Sequence, residues 1–192
     1  MSSLLLLNLP KYRKVVRLAD GTRALLRPLL PEDRTKLLGM FAGATEEDVM
    51  YLKDDVRDRD VVASWIDNLD YSRVLPIVAC VDERLVGQAT LHFHFGPTRH
   101  IGRVRIFLAT EYRRRGLGTK MLEEITELGK RFGLQQLLAE IVVEQTQVVK
   151  AFQKLGFTLE AHYRDYFMTP DGMTHDMAIL RLPLPVSRRD EF

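Results

Sequence analysis

The stretch RIFLATEYRRRGLGTKML, Arg105 to Leu122, runs from an apolar segment through three consecutive arginines and a Gly-Leu-Gly turn into a helical pattern. IGRVRIFLAT, ending at Thr110, reads as a strand. From the turn onward Leu117, Met121, Leu122, Ile125 and Leu128 recur at the spacing of one helix face, with Gly133 placed to end the helix. The stretch is therefore a strand, a basic turn and a helix start. A helix start leaves backbone N–H groups unpaired at the positive end of the dipole, and glycine lets a ligand come close to the backbone. Such a turn suits an anion of phosphate type, and Arg113, Arg114 and Arg115 add cationic donors.

Phosphate-binding loops differ in spacing. A nucleoside-triphosphate loop ends in Gly-Lys-Ser/Thr, whereas here Lys120 follows Thr119, which excludes that reading. The dinucleotide fingerprint expects a third glycine at Met121 and a turn tight against its strand, but Thr110 to Arg115 intervene. Glu140 supplies the acid that fingerprint expects downstream, yet the architecture ahead of the turn is a meander rather than a repeated βαβ unit. What remains is Arg-x-x-Gly-x-Gly at a helix start, set against the plain alternative of solvated arginines before an ordinary loop.

Working outward, KVVRLADGTRALLRPL reads as a hairpin turning at Asp20-Gly21, and Pro31, Glu32 and Asp33 open a helix. Thr45 and Asp48 have capping-box spacing, and Val61, Val62, Trp65, Ile66 and Leu69 form a helical stripe. VLPIVACV and RLVGQATLHFHF, joined at Asp82-Glu83, precede the strand of the opening stretch and make an antiparallel meander with it. Beyond the helix come a strand in LQQLLAEIVV, a helix in TQVVKAFQKL ended by Gly156, and two closing strands around TPDG. The strand–helix–strand order predicts parallel pairing between the strands at Arg105 and Glu140. The expected fold is α/β (α+β): a mixed, mostly antiparallel sheet of six to seven strands with helices on both faces.

With 192 residues, no linker and no repeat, the chain is expected to be a single domain, its core about 21–182. A net charge of +2 argues against broad nucleic-acid binding. Cys80, the sole cysteine, lies in an apolar run, which excludes a disulfide framework and reads as a buried structural thiol in a reducing compartment. No apolar run approaches the roughly 20 residues that span a bilayer, and MSSLLLLNLP lacks the basic and cleavage regions of a signal peptide. The expectation is a cytoplasmic protein with no membrane partner. No metal-ligand spacing occurs, so no metal is expected. LLLLNLP and LRLPLPV, near the two ends, suggest a homodimer contact.

Arg113-x-x-Gly116-x-Gly118, followed by Leu155-Gly156-Phe157 closing a later helix, resembles the GNAT-type N-acetyltransferase superfamily over about Gly21 to Leu182. Within it, DGTRALLRPLLPED and the lack of a tyrosine before LGF look most like bacterial protein-lysine acetyltransferase domains. The resemblance implies that acetyl-CoA is the co-substrate, its pyrophosphate held by Arg113, Arg114, Arg115, Gly116, Leu117, Gly118 and Thr119. It places the pantetheine arm along the backbone of Phe107, Leu108 and Ala109, and Gln145 where a cofactor-side asparagine is common. The thioester would enter a splay between the strands of Arg105 and Glu140.

The implied acceptor is a primary amine, on a small molecule or a protein. An ammonium has no lone pair, so a base or desolvation must help, and Glu140 matches the glutamate of related ribosomal-protein acetyltransferases, with Glu144 second. The Leu108 backbone N–H would stabilise the oxyanion. Two departures stand out. Phe152 replaces a tyrosine that protonates the leaving thiolate, leaving Tyr163 or Tyr166 as other donors, and Arg103 stands where lysine acetyltransferases often carry an acid. An arginine in the acceptor cleft suits a carboxylate instead. His92 and His94 share a strand face that either lines the acceptor site or meets solvent, and His175-Asp176 reads as a local pair; KDDVRDRD, Lys53 to Asp60, reads as a solvated link, but the resemblance puts the first helices beside the acceptor cleft, where its acids would attract a cationic substrate. A catalytically silent module that senses CoA is the alternative function.

Overall fold

The computed structural model describes residues 8–185. Its hairpin, β1 (Lys14–Arg17) and β2 (Arg23–Pro28), turns through Gly21 at φ 85°, where Asp20 accepts the Thr22 N–H at 2.9 Å. A Pro31–Asp33 turn leads into α1 (Arg34–Ala42). Thr45 caps α2 (Glu46–Met50) in a reciprocal capping box with Asp48, and α3 (Arg59–Asp67) carries the apolar stripe. The meander is β3 (Val74–Val81), β4 (Arg84–Phe93) and β5 (Ile101–Leu108). Then follow α4 (Leu117–Arg131), β6 (Gln136–Val142), α5 (Thr146–Lys154), β7 (Thr158–Met168) and β8 (Thr174–Pro183).

The strands form one eight-stranded sheet in the order β1-β2-β3-β4-β5-β6-β8-β7. That exceeds the six to seven expected, because both arms of the first hairpin join the sheet. All neighbours are antiparallel except β5 and β6, whose parallel pairing is the crossover through α4. The LLLLNLP and LRLPLPV segments lie partly outside the described residues.

Side-chain alternation along β5 sorts two layers. Val104, Ile106 and Leu108 join a core with Leu117, Met121, Leu122, Ile125 and Leu128 of α4 and with Phe152 and Phe157. Burying each α4 side chain of that stripe is worth about 2 kcal/mol, so the start of the helix is held against β4 and β5. Gly87 makes this approach possible: a Cβ there would lie 2.8 Å from Leu108 Cδ2 and 3.0 Å from Met121 Sδ. On the other face Phe107 stacks against Phe41 of α1 with ring centroids 4.7 Å apart, among Leu29, Leu37, Val62 and Ile66.

The β5–β6 pairing is short. Ile101, Gly102 and Arg103 pair with Gln136, Leu137 and Leu138. Beyond them β6 continues against β8 to Val142, while β5 continues against β4 to Leu108. The two strands thus part between Arg103 and Leu108, leaving one edge of β5 unpaired in the middle of the sheet.

Candidate active site

The open edge has a definite polarity. Ala109 donates its N–H to Val86 on the β4 side at 3.0 Å. Strand alternation puts Phe107 on that same side and turns the polar groups of Leu108 outward, into the splay. Of Phe107, Leu108 and Ala109, then, Leu108 alone presents its N–H to an arriving ligand. Its carbonyl is already taken: Arg113 Nε and Nη2 both donate to it, at 3.0 and 2.9 Å.

The basic turn follows directly. Arg114 and Gly116 take left-handed backbone angles, φ 58° and 82°, and Gly116 is the N-terminal flank of α4 without a side-chain cap. The first bond of the helix runs from Lys120 N–H to the Gly116 carbonyl at 3.1 Å. The N–H groups of Leu117, Gly118 and Thr119 precede it, so among the described residues they stand unbonded at the positive end of a 15-residue helix. Gly118 lets the start of α4 close on β5: a Cβ there would sit 3.2 Å from Leu108 Cδ1.

The three arginines do three different things. Arg113 turns inward, bridging the Leu108 carbonyl and Asp48 Oδ1, the latter at 2.6 Å. Asp48 is the capping acid of α2; burial alone would raise its carboxyl, but the Thr45 N–H and Arg113 outweigh burial and hold it low. Arg115 bonds Asp20 of the first hairpin at 3.0 Å, lies over the Tyr112 ring at 5.3 Å, and its carbonyl accepts the Ala19 N–H. Arg114 is exposed and has no partner among the described residues. Thus Arg113 and Arg115 tie the turn to α2 and to the hairpin, and Arg114 offers the free cation.

Across the splay Glu140 lies on the face toward α1–α3, its side chain 13% exposed. It pairs with Lys53 from the α2–α3 link and, at 3.0 Å, with Arg103 Nη2. Burial alone would raise its carboxyl; the Lys53 hydrogen bond and the charges of Lys53, Arg103 and Arg105 reverse that and keep it ionised. Arg103 and Arg105 stand on the same face of β5, opposite His92 and Thr90 of β4. Burial, then the charges of Arg105 and Arg103, push the His92 imidazole down to about 4, and its Nε2 lies 3.0 Å from the Thr90 hydroxyl. Neutral His92 and His94 thus border the cluster; burial also lowers His94.

Other expected residues fall elsewhere. Gln145 begins α5, its carbonyl accepting the Val148 and Val149 N–H groups at 2.9 and 3.1 Å. Glu144 Oε1 lies 3.0 Å from His175 Nδ1, and the His175 ring meets Tyr51 edge-on at 5.4 Å. Asp176 instead faces His162, with Oδ2 2.9 Å from Nε2. Phe152 is buried edge-on to Phe157 at 5.0 Å. Tyr163 and Tyr166 project from β7, the outermost strand, which β8 separates from β6. Roughly 10 Å of sheet separates them from the splay. The clefts beside Cys80 and beside Tyr71 touch none of these residues, and burial raises the Cys80 thiol. Among the described residues no group of three His, Cys, Asp or Glu could hold a metal, and no helix is long and apolar enough to cross a membrane.

The link that holds Lys53 and Asp54 is expected beside the acceptor cleft, but the particular partners of the two residues are not legible in the sequence. KDDVRDRD reads as a solvated link, yet Lys53 reaches Glu140 and Asp54 Oδ2 approaches Arg105 Nη1 to 3.9 Å. The position of the link, between two helices that border one sheet face, carries the expectation of a place beside the cleft.

The acetyltransferase (GNAT) family model matches residues 37–157, a span that includes the start of α4 and the splay. The chain belongs to that family. It is 36% identical over 75 residues to the [ribosomal protein bS18]-alanine N-acetyltransferase of Escherichia coli K12, covering 38% of this chain and 49% of that one. It therefore spans about half the length of the curated relatives it matches. Among solved structures, Mycobacterium smegmatis RimJ in complex with CoA-disulfide aligns with a TM-score of 0.76 at 20% identity, over 91% of this chain and 88% of that one. The GNAT domain of S. lividans PAT aligns with a TM-score of 0.74 at 18% identity, over 90% and 97%.

Proposed function

We propose that this protein is an acetyl-CoA-dependent N-acetyltransferase that acts on a primary amine by direct attack within a ternary complex. The observation that carries the reading is the run of unbonded N–H groups at the start of α4, adjoining a β5 edge that opens where β5 and β6 part. Membership of the GNAT family and the CoA in the aligned RimJ structure support the same assignment. The N–H groups of Leu117, Gly118 and Thr119, with Arg114, take the pyrophosphate. The outward N–H of Leu108 takes the thioester oxygen as it becomes an oxyanion.

Glu140, ionised at neutral pH, accepts the proton of the incoming ammonium, directly or through water. The freed lone pair forms the N–C bond, the C–S bond breaks as the thiolate departs, and the nitrogen, made cationic by the attack, gives up its second proton to solvent or to the thiolate to leave the neutral amide. Phe152 has no proton to give, so the thiolate of coenzyme A, from a thiol of pKa near 8.5, leaves as the anion or takes a proton from solvent.

The test is calorimetric titration with acetyl-CoA, then thiol release over a panel of amines. Saturable binding by the wild type, lost in Gly118→Trp, and turnover reduced at least 100-fold in Glu140→Gln with binding retained, are the expected results. No binding by the folded wild type overturns the assignment. Binding without turnover of any amine, including lysine peptides and peptides with free N-termini, makes the chain a CoA sensor instead.

A further inference from the structure

Arg103 and Arg105 are held in an unusual state for arginines. The Nε of each is buried without a hydrogen-bond partner among the described residues. Among the described residues no carboxylate lies within hydrogen-bond length of Arg105: Asp54 approaches to 3.9 Å, and Glu140 acts on it through its charge. Arg103 shares Glu140 with Lys53. Three cations thus face two carboxylates, and His92 is neutral. A half-buried guanidinium whose donors go unmet is costly, and the planar fork of arginine matches a carboxylate better than any other small anion but phosphate.

The position of the surplus matters. Arg105 is level with Glu140 across the splay, since Arg103 pairs with Leu138 and each lies two residues further on. The link already places a matching pair of charges there, the Lys53 ammonium on Glu140 and the Asp54 carboxylate toward Arg105. Adjacent residues of the chain therefore set one ammonium and one carboxylate against the two charges that an acceptor carrying both an amine and a carboxylate would meet.

We infer that the acceptor is a small zwitterion of amino-acid type, its amine at Glu140 and its carboxylate on Arg105 with Arg103. It displaces Lys53 and Asp54 as it binds. This inference rests on the acetyltransferase reading of the same site, and specificity toward the acceptor resides in Arg105.

The experiment compares amino acids of increasing amine-to-carboxylate spacing, from glycine to 6-aminohexanoate, with their carboxamides, by thiol release at fixed acetyl-CoA. The expected result is kcat/KM at least ten-fold higher for the best acid than for its amide. Arg105→Gln brings that ratio to within two-fold while leaving the affinity for acetyl-CoA, measured by calorimetry, unchanged. Amides or lysine peptides used as well as acids, or a ratio that survives Arg105→Gln, overturn the inference and leave the transferase intact. A second readout needs no CoA: thermal shift of the free protein by the same acids, absent with the amides and lost in Arg105→Gln. If acetyl-CoA fails to bind but this shift persists, the transferase reading falls and the zwitterion site stands. If no acid produces a shift or turnover, the zwitterion site falls.

Discussion

Replacing Arg113 separates a structural arginine from a ligand-binding one. Its guanidinium bonds the Leu108 carbonyl and Asp48, and the side chains are 38% and 6% exposed in that ion pair. Arg113→Ala leaves Asp48 buried with only the Thr45 N–H and a long contact to the Thr110 hydroxyl, at 2.9 and 3.4 Å. Loss of a charged hydrogen bond costs about 1.5–3 kcal/mol, reduced by the partial exposure of the guanidinium to about 1–2. In a chain of this size that lowers Tm by about 3–6 °C. The turn loosens, so CoA binding weakens a few-fold, but its salt dependence persists because the removed cation does not face the phosphates. Arg114→Gln behaves oppositely: Tm moves by less than about a degree, while CoA affinity at low salt falls about five-fold and its salt dependence shrinks. Thermal unfolding and calorimetry in about 0.05 and 0.3 M salt read both variants. An Arg113→Ala protein with unchanged Tm and a lost salt dependence would show that the arginine leaves Asp48 for the ligand, and would refute the division of roles drawn above.

Two other outcomes follow from buried charge. Because the folded His92 imidazole is depressed to about 4 from an ordinary 6.5, the unfolded chain binds the extra proton first. Stability is thus complete above about pH 6.5 and is lost as pH falls toward 4; His92→Gln removes on the order of 2 kcal/mol of that acid slope, measured by urea unfolding at stepped pH, and an unaltered slope counts against a neutral imidazole. Asp33 and Arg27 pair bidentately at 2.5 and 2.7 Å, both buried; burial raises the Asp33 carboxyl, but the Arg27 and Leu30 donors more than reverse it. Asp33→Asn leaves Arg27 buried and unpaired and costs about 3–5 kcal/mol at pH 7, whereas the double variant with Arg27→Met regains at least half of it, and equal losses in both would remove the pairing explanation.

How far the sequence reaches depends on the separation over which each feature is decided. The strand, turn and helix from Arg105 to Leu122 are local matters of period and glycine placement, and the parallel crossover follows from element order; all are found where expected. The capping box of Thr45 and Asp48 is equally local and equally legible. The three arginines are not. They are neighbours in the chain, yet their roles are assigned by Asp48 and Asp20, which approach only once α2 and the first hairpin have packed. The same holds for KDDVRDRD, whose alternating signs carry no mark of the partners that β5 and β6 supply. Tyr163 and Tyr166 fail for a related reason: β8 inserts between β6 and β7, and no local pattern announces an order that differs from chain order. Charge in this protein is therefore read correctly only as pairs across elements. Arg113 and Arg115 pair with Asp48 and Asp20 and hold the turn, Lys53 pairs with Glu140 across the splay, and among the described residues the donors left without a partner are those of Arg114 and the Nε of Arg103 and Arg105.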